Sequence, residues 1–243
     1  MGEILAFVSG KGGTGKTSMC AAVASCLAAM GDSVLCVDMD MGLRNLDLAL
    51  AMDPEPLLPF TSILDGTYSL DQLQGYGPLA GLCLLSAPVT VSAEQVDPGA
   101  MKAFLDGCRQ RFDWCLLDAP AGVGAGFRLC TENADRILLV TGGDRAALRD
   151  GAGAARLFPE KTPALVLVNR VDRRFFRAAG ETIDDVMDTV GLPLAGIVPE
   201  DPTVSRSAAQ GTPLVLAERK GAAAAALRVA RRLKGLKAPL GIR

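Results

Sequence analysis

The stretch Ile4-Leu5-Ala6-Phe7-Val8-Ser9-Gly10-Lys11-Gly12-Gly13-Thr14-Gly15-Lys16-Thr17-Ser18-Met19-Cys20 decides the fold. Five apolar residues run straight into a glycine-rich loop, and the loop runs straight into a helix-forming segment. A short apolar run bounded by turn residues reads as a buried strand. Strand, Gly-x-x-x-x-Gly-Lys-Thr and helix, in that order, are the context in which a loop wraps an oligophosphate. Its glycines let main-chain N–H groups curl around phosphate oxygens, and the helix amino terminus adds the positive end of its dipole. Gly10, Gly12, Gly13, Thr14, Gly15, Lys16, Thr17 and Ser18 are therefore the candidate binding set for ATP. Lys16 is expected to pair the β and γ phosphates, and the Thr17 hydroxyl to hold Mg2+.

Working outward, six more apolar runs are bounded by turn residues: Val34–Val37, Leu82–Leu85, Trp114–Leu117, Ile137–Val140, Ala164–Val168 and Leu194–Val198. Helical stretches are expected near Lys16–Met30, Pro98–Arg111, Arg145–Phe158 and Glu181–Val190, and Pro54 to Gly81 reads as a loop with short helices. This alternation predicts an α/β P-loop NTPase fold, a mostly parallel sheet of about seven strands with helices on both faces. Ligand is then expected beyond the carboxyl ends of the strands. The chain is 243 residues long and has no linker-like break, so residues 1–243 read as a single domain.

Composition removes several chemistries. There is no histidine, which excludes Ser-His-Asp triads and most zinc sites. The seven cysteines lie in apolar segments without C-x-x-C or metal-ligand spacing, so buried reduced thiols are expected. With no signal peptide before Ile4, they point to the cytoplasm. A formal net charge of −2 provides no global attraction for nucleic acid or anionic lipid, so such contacts need a local basic patch. No apolar run approaches the roughly 18 residues needed to span a bilayer.

Two further strands deliver carboxylates to the expected phosphate end. The second ends in Val37-Asp38-Met39-Asp40-Met41-Gly42-Leu43-Arg44-Asn45-Leu46-Asp47. Acidic groups there repel a nucleotide unless a metal intervenes. Asp38 is read as a Mg2+ ligand through water, and Asp40 as the group that orients and polarises the attacking water. Trp114-Cys115-Leu116-Leu117 delivers Asp118, followed by Ala119-Pro120-Ala121-Gly122. This apolar strand ending in Asp has the Walker B arrangement, with Asp118 on a metal-bound water, and Gly122 is expected to leave its N–H exposed to sense the γ phosphate.

Lys11 is poorly placed to fold back onto a phosphate held by its own backbone. The K-G-G-x-G-K-T pattern resembles the deviant Walker A ATPase family, and D-M-D-M-G-L-R-N-L-D together with D-x-P-A-G resembles its MinD branch. The resemblance implies that Lys11 reaches the partner subunit's phosphates, as an arginine finger does elsewhere, and that the ATP form is a homodimer that recruits an activator or effector protein. It also implies that the Asn169 amide reads the adenine edge and that the turn Pro199-Glu200-Asp201 contacts the base. A helix cap is the alternative for Asp201. The implied activity is a Mg-dependent ATPase switch in cell-division site placement or related positioning. A DNA-partitioning ParA-like ATPase and an adaptor or maturation factor on the same scaffold are the alternatives, and no specific nucleic acid is expected.

After Val140 the family has a Pro/Glu-containing turn, whereas this chain has Thr141-Gly142-Gly143-Asp144. The MinD branch also carries a separate amphipathic targeting helix beyond its last core helix, and the sequence here ends at Arg243. Gly221 to Lys237 reads as a basic amphipathic helix with Leu227, Ala230, Leu233 and Leu236 on one side. It is expected either to pack as the last core helix or to make weak contact with the inner membrane surface.

Overall fold

The structure is a computed structural model that describes residues 1–41, 43–52, 58–75, 79–172 and 182–240. All seven expected strands form: β1 (Glu3–Val8), β2 (Val34–Asp38), β3 (Leu82–Leu85), β4 (Trp114–Asp118), β5 (Arg136–Gly142), β6 (Ala164–Val171) and β7 (Leu194–Pro199). They make one sheet in the order β3-β2-β4-β1-β5-β6-β7, and every pairing is parallel. The helices of the described residues are α1 (Lys16–Ala29), α2 (Leu46–Leu50), α3 (Thr61–Leu64), α4 (Pro98–Arg111), α5 (Ala125–Thr131), α6 (Arg145–Ala155), α7 (Ile183–Val190), α8 (Thr203–Ala209), α9 (Leu214–Ala217) and α10 (Gly221–Leu233). Glu181, the expected start of the fourth long helix, and parts of the Pro54–Gly81 loop lie outside the described residues.

The strand order explains why the two faces are covered as they are. From β1 the chain steps through α1 to β2 and then to β3, moving toward one edge. From β3 it returns through α4 to β4 and continues through α5, α6 and α7 toward the other edge. Right-handed crossovers in opposite directions place their helices on opposite faces. Accordingly Leu5 and Phe7 pack with α1 and α10, while Ile4, Ala6 and Val8 pack with α4, α5, α6 and α7. The chain reverses direction around β4 and β1, so the carboxyl ends of these central strands open onto a crevice suited to a ligand.

Helix α1 is apolar nearly all round, with Met19 to Leu27 buried. Such a helix must be covered on both sides. The sheet covers one side and α10 the other, through Ala222, Ala223, Ala225, Ala226, Val229, Ala230 and Leu233. This corrects half of the expected stripe: Ala230 and Leu233 are buried, but Leu227 and Leu236 are exposed at 41% and 45%, and the rest of the buried face is built from alanines and Val229. Two of the basic groups are also occupied. Arg232 donates to the carbonyls of Ala195 and Ala238, and Lys234 pairs with Asp32 at 2.6 Å. The helix therefore spends its apolar face on the core, and that face is closed to lipid unless the helix unpacks. Among the described residues, no helix is long and apolar enough to cross a membrane.

All seven cysteines are buried and unpaired, as their apolar surroundings predict. Burial pushes the Cys26 thiol up to about 12 and Cys130 higher still.

Candidate nucleotide site

The glycine-rich loop leaves the central strand β1 and closes onto α1. Gly15 holds φ +81, a left-handed conformation that costs glycine little. A side chain there would also collide with the Asn169 amide. No side chain caps α1, and its first turn carries no acidic residue. Its amino-terminal amides are thus left for a ligand, as helix geometry requires. Thr14 Oγ1 is buried beside them without a partner.

Lys16 and Asp118 meet at the floor of this cradle. Their Nζ–Oδ1 distance is 2.6 Å, and the side chains are only 6% and 1% exposed. Burial raises the Asp118 carboxyl above its usual range, against the opposing pull of the Lys16 ammonium and a hydrogen bond from Thr17. Lys16 also donates to the Thr17 hydroxyl at 3.3 Å. Parallel pairing sets Asp38 beside Asp118 on adjacent strands. Thr17, Asp38 and Asp118 thus supply hard oxygen donors near the end of the phosphate cradle. Such a set suits Mg2+, which is commonly held by one or two carboxylates together with substrate phosphates and waters. Bound there with a triphosphate, Mg2+ would supply charge neutralisation to the phosphate oxygens.

Asp38 has a second task that its sequence does not announce. It accepts the Asp40 N–H at 2.9 Å and the Asn45 and Leu46 N–H groups at 3.2 Å each. The last two are the amino terminus of α2, so one strand-end carboxylate folds the following loop into a helix. Burial raises its pKa to about 6, opposed by these amides and reinforced by the Asp118 charge. Asp40 is half-buried. Its carboxyl is raised first by burial, lowered by Lys16 and raised again by Asp38. Leu43, in the same loop, is exposed.

Lys11 is partly exposed, with its Nζ 3.9 Å from Asp144 and 3.7 Å from Asp150. Asp144 caps α6 by accepting the Ala147 N–H. Gly122 holds φ +85, but its N–H is donated to the Ser9 carbonyl at 3.1 Å. That corrects the expected free amide: the segment after Asp118 is tied to the start of the loop.

Against the other side of the loop is a cavity of about 500 Å³, lined by Lys11 to Thr14, Gly142 to Asp144, Ala147, Arg170 to Asp172 and Glu200. It opens beyond the ends of β5, β6 and β7, where a nucleoside would extend from phosphates held by the loop. Asn169 is buried beneath it and donates from Nδ2 to the Thr14 carbonyl at 2.8 Å. Pro199 ends β7, opposite Val171. Asp201 takes the cap alternative for its side chain, accepting Thr203 N–H at 2.9 Å and Ala222 N–H at 2.9 Å, so it starts α8 and α10 together. Arg170 belongs to no motif that its neighbours in the sequence announce. It links the Gly13 carbonyl at 3.2 Å to Glu200 at 3.1 Å.

A parallel sheet whose central strand delivers an amide cradle, a buried lysine and strand-end carboxylates to one crevice is the architecture of a P-loop nucleotide-binding protein. The chain belongs to the CobQ/CobB/MinD/ParA nucleotide-binding family, an ATPase family whose domain it matches over residues 5–214. It is similar to the septum site-determining protein MinD of Bacillus subtilis, at 30% identity across 100% of this chain and 92% of that protein. Among solved structures it is similar to the MinC:MinD cell division complex of Aquifex aeolicus, with TM-score 0.89 and 30% identity over 99% of this chain and 98% of that one. It also resembles MinD of Pyrococcus horikoshii complexed with Mg-ADP, with TM-score 0.81 and 26% identity over 96% of each chain.

Proposed function

We propose that this chain is a Mg-ATP-dependent ATPase of the MinD type, a single nucleotide-binding domain that dimerises on ATP and acts as a switch in division-site placement or related spatial positioning. The observation that carries the reading is the buried Lys16–Asp118 contact at the base of an uncapped helix amino terminus. A cation and a row of free amides there suit a triphosphate tail. Full-length similarity to septum site-determining proteins supports the finer assignment.

In this reading the loop amides and Lys16 hold the phosphates, and Thr17, Asp38 and Asp118 hold Mg2+ directly or through water. Asp40 orients the attacking water. Lys11 swings from Asp144 and Asp150 to the nucleotide of a second copy; both contacts are long and half-exposed, so little opposes its release. Asn169 and the turn at Pro199 and Asp201 face the base. A partner of the MinC class is the effector, and the protein works in the cytoplasm, with weak contact to the inner membrane surface through the exposed basic side of α10, where Arg231 lies.

The test pairs phosphate release with sedimentation. Lys16→Ala is expected to abolish Mg-ATP binding. Asp40→Ala is expected to cut turnover by about 100-fold or more, in the range of a lost catalytic base, while the ATP-bound protein sediments as a dimer. Normal turnover by Asp40→Ala removes its catalytic role, and a monomer at all ATP concentrations removes the switch.

A further inference from the structure

Successive residues of a strand point to opposite faces of its sheet, so Asn169 and Arg170, consecutive at the end of β6, should diverge. Instead both reach the same loop. Asn169 Nδ2 donates to the Thr14 carbonyl at 2.8 Å, and Arg170 Nη1 donates to the Gly13 carbonyl at 3.2 Å. The backbone makes this possible by breaking its pattern. Arg170 adopts φ +56, and the pairing of β6 with β7 slips between Val168 and Val171. Only Ala51 shares a positive φ among the described non-glycine residues. A left-handed arginine is a strained conformation, of the kind that persists where surrounding structure enforces it and that clusters at functional sites.

The two contacts fall on consecutive peptide units. A trans peptide is planar, so the C=O of one residue and the N–H of the next point in opposite directions. Fixing the Gly13 carbonyl therefore aims the Thr14 N–H the other way, and fixing the Thr14 carbonyl does the same for the Gly15 N–H. We propose that Arg170 is a positioning residue for phosphate binding: its strained backbone brings the guanidinium onto the Gly13 carbonyl and so orients the Thr14 amide toward the nucleotide. Glu200 holds the guanidinium from behind, Nη2 to Oε1 at 3.1 Å. The inference rests on the nucleotide reading above and adds to it a residue that touches loop backbone, distinct from those assigned to phosphate or base.

The arrangement separates binding from stability. The Arg170–Glu200 pair is more than half exposed, and such pairs contribute little to the fold. Losing the arginine should therefore weaken phosphate binding without unfolding the protein. Calorimetric titration with Mg-ATP and Mg-GTP, together with thermal melting, tests this on wild type, Arg170→Gly, Arg170→Ala and Glu200→Gln. Arg170→Gly removes both side chain and strain, and is expected to bind Mg-ATP at least about tenfold more weakly, about 1.4 kcal/mol. Its melting point is expected at or above that of wild type, and about 2–4 °C above that of Arg170→Ala, which keeps the strained φ. The preference between the two bases should not change, because the altered amide faces phosphate. Glu200→Gln should fall between wild type and the arginine variants. Arg170→Gly binding within about twofold of wild type overturns the inference, as does a change in base preference, which would place Arg170 at the base. Absence of binding by the wild type overturns the nucleotide reading itself, and this inference with it.

Discussion

Replacing Lys16 with Met removes the cation from a contact in which both partners are buried. The methionine fills similar space and cannot pair, so Asp118, 1% exposed, loses the group that offsets its desolvation. Removing one member of a buried ion pair costs about 3–5 kcal/mol, because the remaining charge is stranded. At about 2–4 °C per kcal/mol for a chain of this size, the melting point should fall by about 6–20 °C. The loss should depend on pH in a fixed direction. Burial already raises the Asp118 carboxyl, and without Lys16 it rises further. A carboxyl with a raised folded-state pKa favours the folded state at low pH and disfavours it as pH rises. The Lys16→Met defect should therefore be largest near pH 8 and shrink on acidification. Asp118→Asn in the same chain should recover most of it by making the buried group neutral. The assay is thermal melting by circular dichroism without nucleotide, at pH 5.5 and pH 8, for wild type, the two single variants and the double. A Lys16→Met melting point within about 2 °C of wild type at pH 8 refutes the reasoning. So does a double variant no more stable than the single.

Two more outcomes follow from carboxylates that organise backbone. Asp201→Ala removes the cap of both α8 and α10; at about 1 kcal/mol per cap the loss is about 2 kcal/mol, and denaturant melts should shift to match. Asp38, with a folded pKa of about 6 against a usual value near 3.8, binds a proton in the folded state over a range where the unfolded chain does not. Metal-free stability should therefore fall by roughly 3 kcal/mol between about pH 4 and pH 6 and then level off. Asp38→Asn should flatten that slope, which urea titrations across the range measure directly.

The sheet was readable because each strand is a short apolar run closed by turn residues, a pattern that a doubly covered parallel sheet imposes. The loop was readable because its glycines and lysine are local. What escaped is non-local. Helix α2 exists because Asp38, seven and eight residues earlier in the chain, accepts its first amides. Helix α5, Ala-Gly-Phe-Arg-Leu-Cys-Thr, is short and begins next to a glycine, so its sequence carries little helical period. The phase of α10 is only half legible, because small alanines make most of its buried face beside Val229 and Leu233, while the larger Leu227 faces out. Arg170 is not legible as a loop contact because its place depends on a positive φ and a slipped strand pairing, neither of which leaves a mark in composition. The engagement of the Gly122 N–H is equally invisible in sequence, because the Ser9 carbonyl that accepts it is distant along the chain.

The seven sheltered cysteines make the folded protein a silent background for thiol reagents. Labelling needs an accessible thiolate, and all seven of these groups are buried. Modification then proceeds only through opening events, so the number of adducts per molecule counts how much of the sheet has come apart. Because Cys20 and Cys26 sit on α1 while Cys108 and Cys130 lie on the opposite face, mass spectrometry of labelled peptides can time the exposure of each helical layer separately. Repeating the clock with nucleotide present would report which layer the ligand holds shut.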